Sequence, residues 1–264
     1  MSSAITNGPR LIGLVPAVGG GLRFGADIPD APRPHADLAG QSVLARTLRR
    51  LLEVLPLDAL YIAIAPGDAT DMTTMSAAIR MLPCSGATRT ALVRNALEAI
   101  AHRCEESDWI LVHDAARPCV PPDALRRLIT SVADDPVGGF LAVPVADTLK
   151  RATDHDASRA LPHVRCTESR AGLWQAQSPQ VFRYGVLRAA LALDGSVAMT
   201  DEAQAVEVLA ATGACGRPVL VRGSTHNIKI INADDLALAA AILHLQEVDS
   251  GNAAGRAVGG EVFG

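Results

Sequence analysis

Residues 109–118 read WILVHDAARP, and this segment decides the fold because it joins two different kinds of sequence. Its first half is a continuous apolar run, typical of a strand that is buried on both faces of a parallel sheet. Its second half places His113, Asp114 and Arg117 directly beyond that strand. Open parallel sheets bind ligands beyond the carboxyl ends of their strands. The segment therefore predicts an α/β sheet and also the edge of the sheet where a site lies.

The rest of the chain repeats this alternation of short apolar runs and amphipathic segments. Further strands are expected at LIGLVPA, LYIAIAP, GFLAVPV, LWQAQSPQVF, VLVRG and NIKII, which begin at residues 11, 60, 139, 173, 219 and 227. Helical periods cover residues 41–54, 88–104, 122–132, 184–193, 201–211 and 233–248. This pattern predicts an α/β fold, a mostly parallel sheet with helices on both faces.

One segment interrupts the alternation. Residues 146–170 are polar, carry many charges and show no sustained helical period, which predicts an arm that protrudes from the sheet. We therefore expect a single domain at 11–248, a disordered N-terminus at 1–10 and a flexible glycine-rich tail at 249–264.

Composition sets the broad class of protein. The 264 residues are 49% hydrophobic and 20% charged, which excludes a disordered or fibrous chain. A net charge of -4 and an aromatic content of 3% argue against a nucleic-acid partner or an anionic membrane surface. The five cysteines lack the CxxC spacing of zinc and redox sites. Without a secretory signal, they predict free thiols in a cytoplasmic protein.

Loops that follow strands carry the candidate chemistry. The glycines of residues 19–25 let backbone N–H groups approach phosphate oxygens, although tight turns also need glycine. Arg23 adds a cation to that loop, and Arg33 either joins the same polyphosphate or lies in a solvated loop. Asp114 is a natural Mg²⁺ ligand beside a triphosphate, or else it pairs with Arg117 to cap the loop. Lys229 stands in an apolar context, as a site residue or as a strand-edge gatekeeper.

Six motifs occur in a fixed order along the chain. They are PAxGxGxR at 16–23, VHDAARP at 112–118, PVxDTxKR at 144–151, RxGLWxAQxPQxF at 170–182, TDE at 200–202 and NIK at 227–229. In this order and spacing they resemble the 2-C-methyl-D-erythritol 4-phosphate cytidylyltransferases of the non-mevalonate isoprenoid pathway. The resemblance covers about residues 11–246.

That resemblance implies a Rossmann-like nucleotidyltransferase fold and a homodimer whose β-arm reaches into the active site of the partner. It also implies that the substrates are CTP and a polyol phosphate, 2-C-methyl-D-erythritol 4-phosphate. The products would be 4-diphosphocytidyl-2-C-methyl-D-erythritol and pyrophosphate, and the cofactor Mg²⁺.

The resemblance also implies the site residues, which fall into four groups. The catalytic basic groups are Arg23, Arg33, Arg170 and Lys229. The nucleotide-binding residues are Ala17, Gly19, Gly21, Gly86 and Arg117. The substrate-binding residues are Thr148, Arg170, Ser178 and Thr200, and the metal ligand is Asp114.

Several positions depart from the pattern of that family, and four of them bear on its activity. Arg33 stands where members usually have lysine, and Leu92 stands where they have serine. Ala87 and His226 replace residues that are acidic in some members. These departures leave two alternatives open. One is a cytidylyltransferase for another polyol phosphate, such as ribitol phosphate, and the other is a catalytically impaired homologue with a binding role.

Overall fold

A seven-stranded sheet forms the centre of the molecule in the computed structural model, which describes residues 8–17, 35–153, 161–193 and 199–258. The strands are β1 (Leu11–Pro16), β2 (Ala59–Ile64), β3 (Ile79–Pro83), β4 (Trp109–Val112), β5 (Gly138–Pro144), β6 (Leu149–Ala152), β7 (Val164–Glu168), β8 (Trp174–Arg183) and β9 (Val219–Arg222). The helices are α1 (Val43–Val54), α2 (Arg89–Ile100), α3 (Pro122–Val132), α4 (Tyr184–Leu191), α5 (Glu202–Ala211) and α6 (Ala233–Val258).

The order of strands in the sheet is β3-β2-β1-β4-β8-β5-β9. All neighbours run parallel except at β8, which is antiparallel to both β4 and β5. The predicted α/β fold with a mostly parallel sheet is therefore confirmed. The reversed strand matters for function, because it brings the start of β8 to the edge where β1 and β4 end.

Helices cover both faces of the sheet because successive strand residues point to opposite sides. Ile12 and Leu14 of β1 pack with α2, α4 and α5 on one face. Leu11 and Val15 pack with α1 and α3 on the other face. A third apolar cluster joins α6 to Ile230 and to the start of α1. The sheet is therefore buried on both sides, as its continuous apolar strands require.

The structure corrects the expected elements in three places. Strand β3 was not predicted, and it pairs with β2 at the edge of the sheet. NIKII, predicted as a strand at residue 227, is an irregular loop whose Ile228 and Ile230 pack toward α6. Helix α6 does not end at the predicted residue 248 but continues to Val258, into the segment predicted as a flexible tail.

Strands β6 and β7 form a separate antiparallel hairpin within the segment 146–170. Its surface is largely exposed and includes apolar side chains: Leu161 is 74% exposed and Val164 is 64% exposed. Leu173 and Trp174, where the chain returns to the main sheet, are also exposed large hydrophobic residues. The hairpin thus presents apolar surface that its own chain does not cover.

Candidate active site

Strand register brings two distant motifs together. Strands β4 and β8 are antiparallel, with Val112 opposite Gln180. Two residues further along, this register places Asp114 beside Ser178. The backbone N–H of Asp114 donates to Ser178 Oγ at 3.0 Å. The loop after β4 is therefore fastened to the start of the reversed strand.

His113 extends this connection into the core. It is completely buried, and burial lowers the pKa of its imidazole to about 4, so the ring is neutral at pH 7. Its Nδ1 lies 3.0 Å from Ser178 Oγ, and its Nε2 lies 3.1 Å from the carbonyl oxygen of Arg117. The network assigns the proton to Nε2, which donates to that carbonyl, while Nδ1 accepts from the Ser178 hydroxyl. This series of hydrogen bonds fixes the backbone on both sides of Asp114.

Three cations surround the Asp114 carboxylate. Arg89 lies 2.9 Å from Oδ1 through Nη2, whereas Lys229 Nζ and Arg117 Nε lie 3.2 and 3.3 Å from Oδ2. Burial alone would raise the pKa of Asp114. The three cations outweigh that effect and hold the pKa well below its usual 3.8, so the group is ionised.

Arg89 is itself held from behind by Glu202, which is completely buried. Its Nη1 donates to Glu202 Oε1 at 2.6 Å and also to Oε2. Desolvation would lower the pKa of Arg89, but Glu202 and Asp114 raise it above its ordinary value. Burial raises the pKa of Glu202, and Arg89 opposes that shift. Because both carboxylate oxygens accept from the same guanidinium, the geometry is that of ionised Glu202.

The irregular loop at 227–231 delivers Lys229 to this cluster. Asn227 is completely buried, and its Nδ2 donates to the carbonyl oxygen of Ser178 at 2.8 Å. Arg117 Nη1 donates to the carbonyl oxygen of Asn227 at 2.7 Å. A backbone bond of 2.9 Å from Ile230 N to Ala116 O closes the loop against the segment after β4. The NIK motif therefore holds Lys229 in place at this cluster.

These groups line a cavity of about 200 Å³ at the carboxyl edge of β4. Its lining includes Arg89, Asp114, Arg117, Ala176, Gln177, Ser178, Gln180, Thr200, Asp201 and Lys229. Pockets that enclose a whole small-molecule ligand usually measure about 300–1,000 Å³. The part of the site that the described residues form is smaller than such a pocket, and its fixed charges suit phosphate groups.

Five of the predicted site residues meet here, and four others lie elsewhere in the described part of the chain. Asp114, Arg117, Ser178, Thr200 and Lys229 line the cavity. Ala17 and Gly86 follow the carboxyl ends of β1 and β3 without lining it. Thr148 and Arg170 are exposed on the arm, away from the cavity lining. Arg23, Arg33, Gly19 and Gly21 lie outside the described residues.

Sequence reasoning missed Arg89 and Glu202 as site residues. Arg89 is the first residue of α2, directly after Thr88, whose hydroxyl caps the helix by accepting from Ala91 N at 3.0 Å. Glu202 lies in the TDE motif, which contributed only to the family resemblance. The available signal was weak: Glu202 is a charged residue within a motif, and Arg89 is a charged residue near the start of a predicted helix. Only the fold shows that they meet.

The donor set fits a divalent cation that arrives with phosphates. No group of three or more His, Cys, Asp or Glu side chains suited to a metal occurs in the part of the chain that the structure describes. Asp201, the other carboxylate on the cavity, is used as the cap of α5 and accepts from Gln180. Asp114 thus supplies one carboxylate, and Mg²⁺ commonly uses one or two together with phosphate oxygens.

A cavity with fixed cations, at the carboxyl edge of a mostly parallel sheet, is the arrangement that an α/β nucleotidyltransferase needs to bind a nucleoside triphosphate. Solved structures of the same architecture agree. A 4-diphosphocytidyl-2C-methyl-D-erythritol synthase is 34% identical with a TM-score of 0.73, covering 89% of this chain and 98% of that one. The 2-C-methyl-D-erythritol 4-phosphate cytidylyltransferase of Francisella tularensis is 30% identical with a TM-score of 0.70, covering 88% and 99%.

Sequence comparison gives the family. The family model for 2-C-methyl-D-erythritol 4-phosphate cytidylyltransferase matches residues 11–245. The protein of that name from Dechloromonas aromatica is 44% identical over 90% of this chain and 100% of its own length. The corresponding protein from Laribacter hongkongensis is 48% identical over 89% and 97%. This chain belongs to the 2-C-methyl-D-erythritol 4-phosphate cytidylyltransferase family, which confirms the resemblance noted from its motifs.

Proposed function

We propose that this chain transfers the cytidylyl group of CTP to 2-C-methyl-D-erythritol 4-phosphate, giving 4-diphosphocytidyl-2-C-methyl-D-erythritol and pyrophosphate. The observation that carries this proposal is the convergence of Arg89, Arg117 and Lys229 on Asp114, in a chain of this family. The three cations come from α2, from the loop after β4 and from the loop before α6. Only the folded chain brings them together.

The reaction needs charge stabilisation more than proton transfer. The nucleophile is a phosphate monoester, which is already anionic and requires no general base. Its attack on the α-phosphorus of CTP brings two anions together, and the leaving pyrophosphate gains charge. Cations that are fixed before the reaction stabilise that charge without reorganisation. His113 is buried and neutral, and it accordingly has a structural role. The proposed mechanism uses no proton transfer by this residue.

Lys229 is the cation best placed to change partners during the reaction. Its side chain is 39% exposed, and its ammonium contacts Asp114 at 3.2 Å. When phosphate oxygens enter the cavity, Lys229 can donate to them, while Arg89 and Arg117 keep their hold on the carboxylate. Ser178 acts indirectly, since its hydroxyl lies between Asp114 N and His113 Nδ1.

Asp114 is the residue that we propose for holding Mg²⁺. When bound together with a triphosphate, Mg²⁺ would neutralise charge on the phosphate oxygens. The ionised state of Asp114 supports this role, because a metal ligand must be deprotonated.

The arm supports a second proposal, that the protein is a homodimer. Thr148 and Arg170 are predicted to bind substrate, yet both are exposed on the arm and neither lines the cavity of their own chain. An arm that reaches the cavity of a second copy would bring them to the substrate and would also cover Leu161 and Val164. Each active site would then contain residues of two chains.

The chain carries five free cysteines, which supports a cytoplasmic location. None of the helices in the described ranges combines the length and apolarity that a bilayer crossing needs.

Two of the departures from the family pattern have a structural account. Leu92 is buried in the core cluster beneath α2, where it packs with neighbouring apolar side chains and does not line the cavity. His226 is exposed and also does not line it. Neither position favours another substrate, and Arg33 lies outside the described residues.

Pyrophosphate release from CTP tests the proposed reaction. With 2-C-methyl-D-erythritol 4-phosphate as the acceptor we expect turnover that depends on Mg²⁺, and with ribitol phosphate we expect little. Faster turnover with ribitol phosphate would contradict the proposed substrate. CTP binding with no turnover of either acceptor would contradict catalysis itself.

A further inference from the structure

The two oxygens of Asp114 have unequal partners. Oδ1 accepts from a single guanidinium, that of Arg89, through Nη2 at 2.9 Å and Nε at 3.1 Å. Oδ2 has longer contacts, to Lys229 at 3.2 Å and to Arg117 at 3.3 Å. Lys229 is also the most exposed of the three cations. Oδ1 is therefore the fixed edge of the carboxylate, and Oδ2 is the edge that Lys229 can leave.

The fixed edge is anchored deep in the molecule. Glu202 is completely buried and holds Arg89 on the side opposite Asp114. Its own position follows from β8, because Gln180 Oε1 accepts from Ala203 N at 2.7 Å. Gln180 Nε2 also donates to Asp201 Oδ2 at 3.0 Å. The first turn of α5 is thus tied to the same strand that supports Asp114.

We propose that Glu202 is a positioning residue for the divalent cation. Through Arg89 it holds Oδ1 of Asp114 and leaves Oδ2 for the cation that accompanies the triphosphate. Glu202 does not line the cavity, so it acts only through Arg89. This inference rests on the proposed function, since it assigns a task to a residue behind the proposed metal ligand.

Electrostatics predicts that losing the charge of Glu202 weakens the binding of the divalent cation. Glu202 compensates the charge of Arg89 within a buried pair, where screening by water is weak. Without it, Arg89 would present an uncompensated positive charge beside the carboxylate that receives a dication, and it would be free to take over Oδ2. Partners that lie behind a metal ligand typically change metal affinity by about 10–100-fold when they are replaced.

The test is Glu202→Gln, which keeps the shape and removes the charge. The matched control is Glu207→Gln on the same helix, because Glu207 is exposed and has no ion pair among the described residues. Mn²⁺ binding in the presence of CTP, without the acceptor, is measured by electron paramagnetic resonance. We expect Mn²⁺ to bind Glu202→Gln about 10–100-fold more weakly and to bind Glu207→Gln like the parent. In turnover, the Mg²⁺ concentration for half-maximal rate should rise by the same factor.

A purely structural role would lower the melting temperature of Glu202→Gln but leave its metal affinity at the parent value, and that result overturns the proposal. If Glu202→Gln does not fold, Glu202→Asp takes its place, since it keeps the charge one methylene further from Arg89. An intermediate loss of Mn²⁺ affinity supports the proposal, and parent-like affinity overturns it. A parent protein that neither binds Mn²⁺ with CTP nor turns over would instead contradict the proposed function.

Discussion

Lys229 differs from the other two cations around Asp114 in how firmly it is held. Arg89 is anchored by Glu202, and Arg117 donates to the carbonyl oxygen of Asn227 at 2.7 Å. Lys229 forms an ion pair only with Asp114 among the described residues. A flexible ammonium with one long contact is suited to follow a phosphate through a reaction, whereas two anchored guanidinium groups keep the geometry of the site.

Replacing Lys229 with alanine should therefore reduce kcat rather than stability. We expect Lys229→Ala to lower kcat by at least ~10²-fold, the scale of losing one preorganised charge stabiliser. Pyrophosphate release measures the rate, and the melting temperature checks the fold. Arg217→Ala is the matched control, since it removes an equal charge from an exposed residue outside the cavity. Parent-like kcat in Lys229→Ala would remove this residue from the mechanism.

Gly86 is required for a close approach between backbones. A Cβ atom there would lie 2.3 Å from Leu92 N and 2.6 Å from Leu92 Cα, in the first turn of α2. Gly86→Ala should therefore displace the start of α2, where Arg89 is located, and cost about 1–3 kcal/mol of stability. The free energy of unfolding, measured with denaturant, and kcat are both expected to fall. Gly8→Ala, where a Cβ meets nothing within 4 Å, should change neither, and an unaffected Gly86→Ala would contradict the close approach.

Single residues of the site such as Asp114 were predictable from the sequence, but the ion pair between Arg89 and Glu202 was not. Asp114 was predictable because it directly follows a buried strand. Arg89 and Glu202 gave no such signal, since an arginine or a glutamate near a helix start is ordinarily exposed. Their pairing follows from the packing of α2 and α5 on the same face of the sheet, which the local sequence does not encode.

At the level of elements, Asp108 fastens the starts of β1 and β4. It is 2% exposed, and its Oδ1 accepts from Arg10 N at 2.9 Å. Its Oδ2 accepts from Glu105 N at 2.9 Å, and the Arg10 guanidinium pairs with the same carboxylate. Burial alone would raise the pKa of Asp108, but these hydrogen bonds outweigh it and lower the pKa below its usual 3.8.

Because the folded state lowers this pKa, ionised Asp108 contributes stability above about pH 4, and the contribution is lost as the pH falls further. Asp108→Asn should cost about 2 kcal/mol at pH 7, the scale of hydrogen bonds to a charged group. The difference from the parent should shrink between pH 4 and pH 2. Denaturant unfolding at several pH values measures this difference in the free energy of unfolding. Asp123→Asn, which breaks an exposed ion pair with Arg127, should show little change at any pH.

Element boundaries were predictable where burial is two-sided and failed at the margins of the sheet. Strand β3 was missed because its pattern is only partly apolar, as befits an edge strand whose Arg80 is exposed. NIKII looked like a strand because Ile228 and Ile230 alternate. Their alternation serves the contact with α6 instead, while Asn227 is turned toward β8. Apolar alternation alone does not identify the surface that will cover it.

For the whole molecule, the net charge is negative, whereas the site brings positive charges together. The chain carries a net charge of -4, yet three cations meet at one carboxylate. Attraction of polyphosphates is therefore local and depends on the folded arrangement rather than on the overall charge. In the proposed dimer the arm would extend this principle beyond one chain, because Arg170 is a cation that does not line the cavity of its own chain.

Mixing two inactive variants tests whether the arm serves the partner. Lys229→Ala damages the cavity, and Arg170→Ala damages the arm. If the arm reaches the second copy, each mixed dimer contains one intact site and one site with both changes. Random reassociation of equal amounts makes half of the dimers mixed, so about one quarter of the parent activity should return. If each arm serves its own cavity, every site keeps one defect and the mixture stays as inactive as its components. Light scattering should give the mass of a dimer for the parent and both variants. A monomeric parent would contradict the shared site outright, because Arg170 would then have no second cavity to reach.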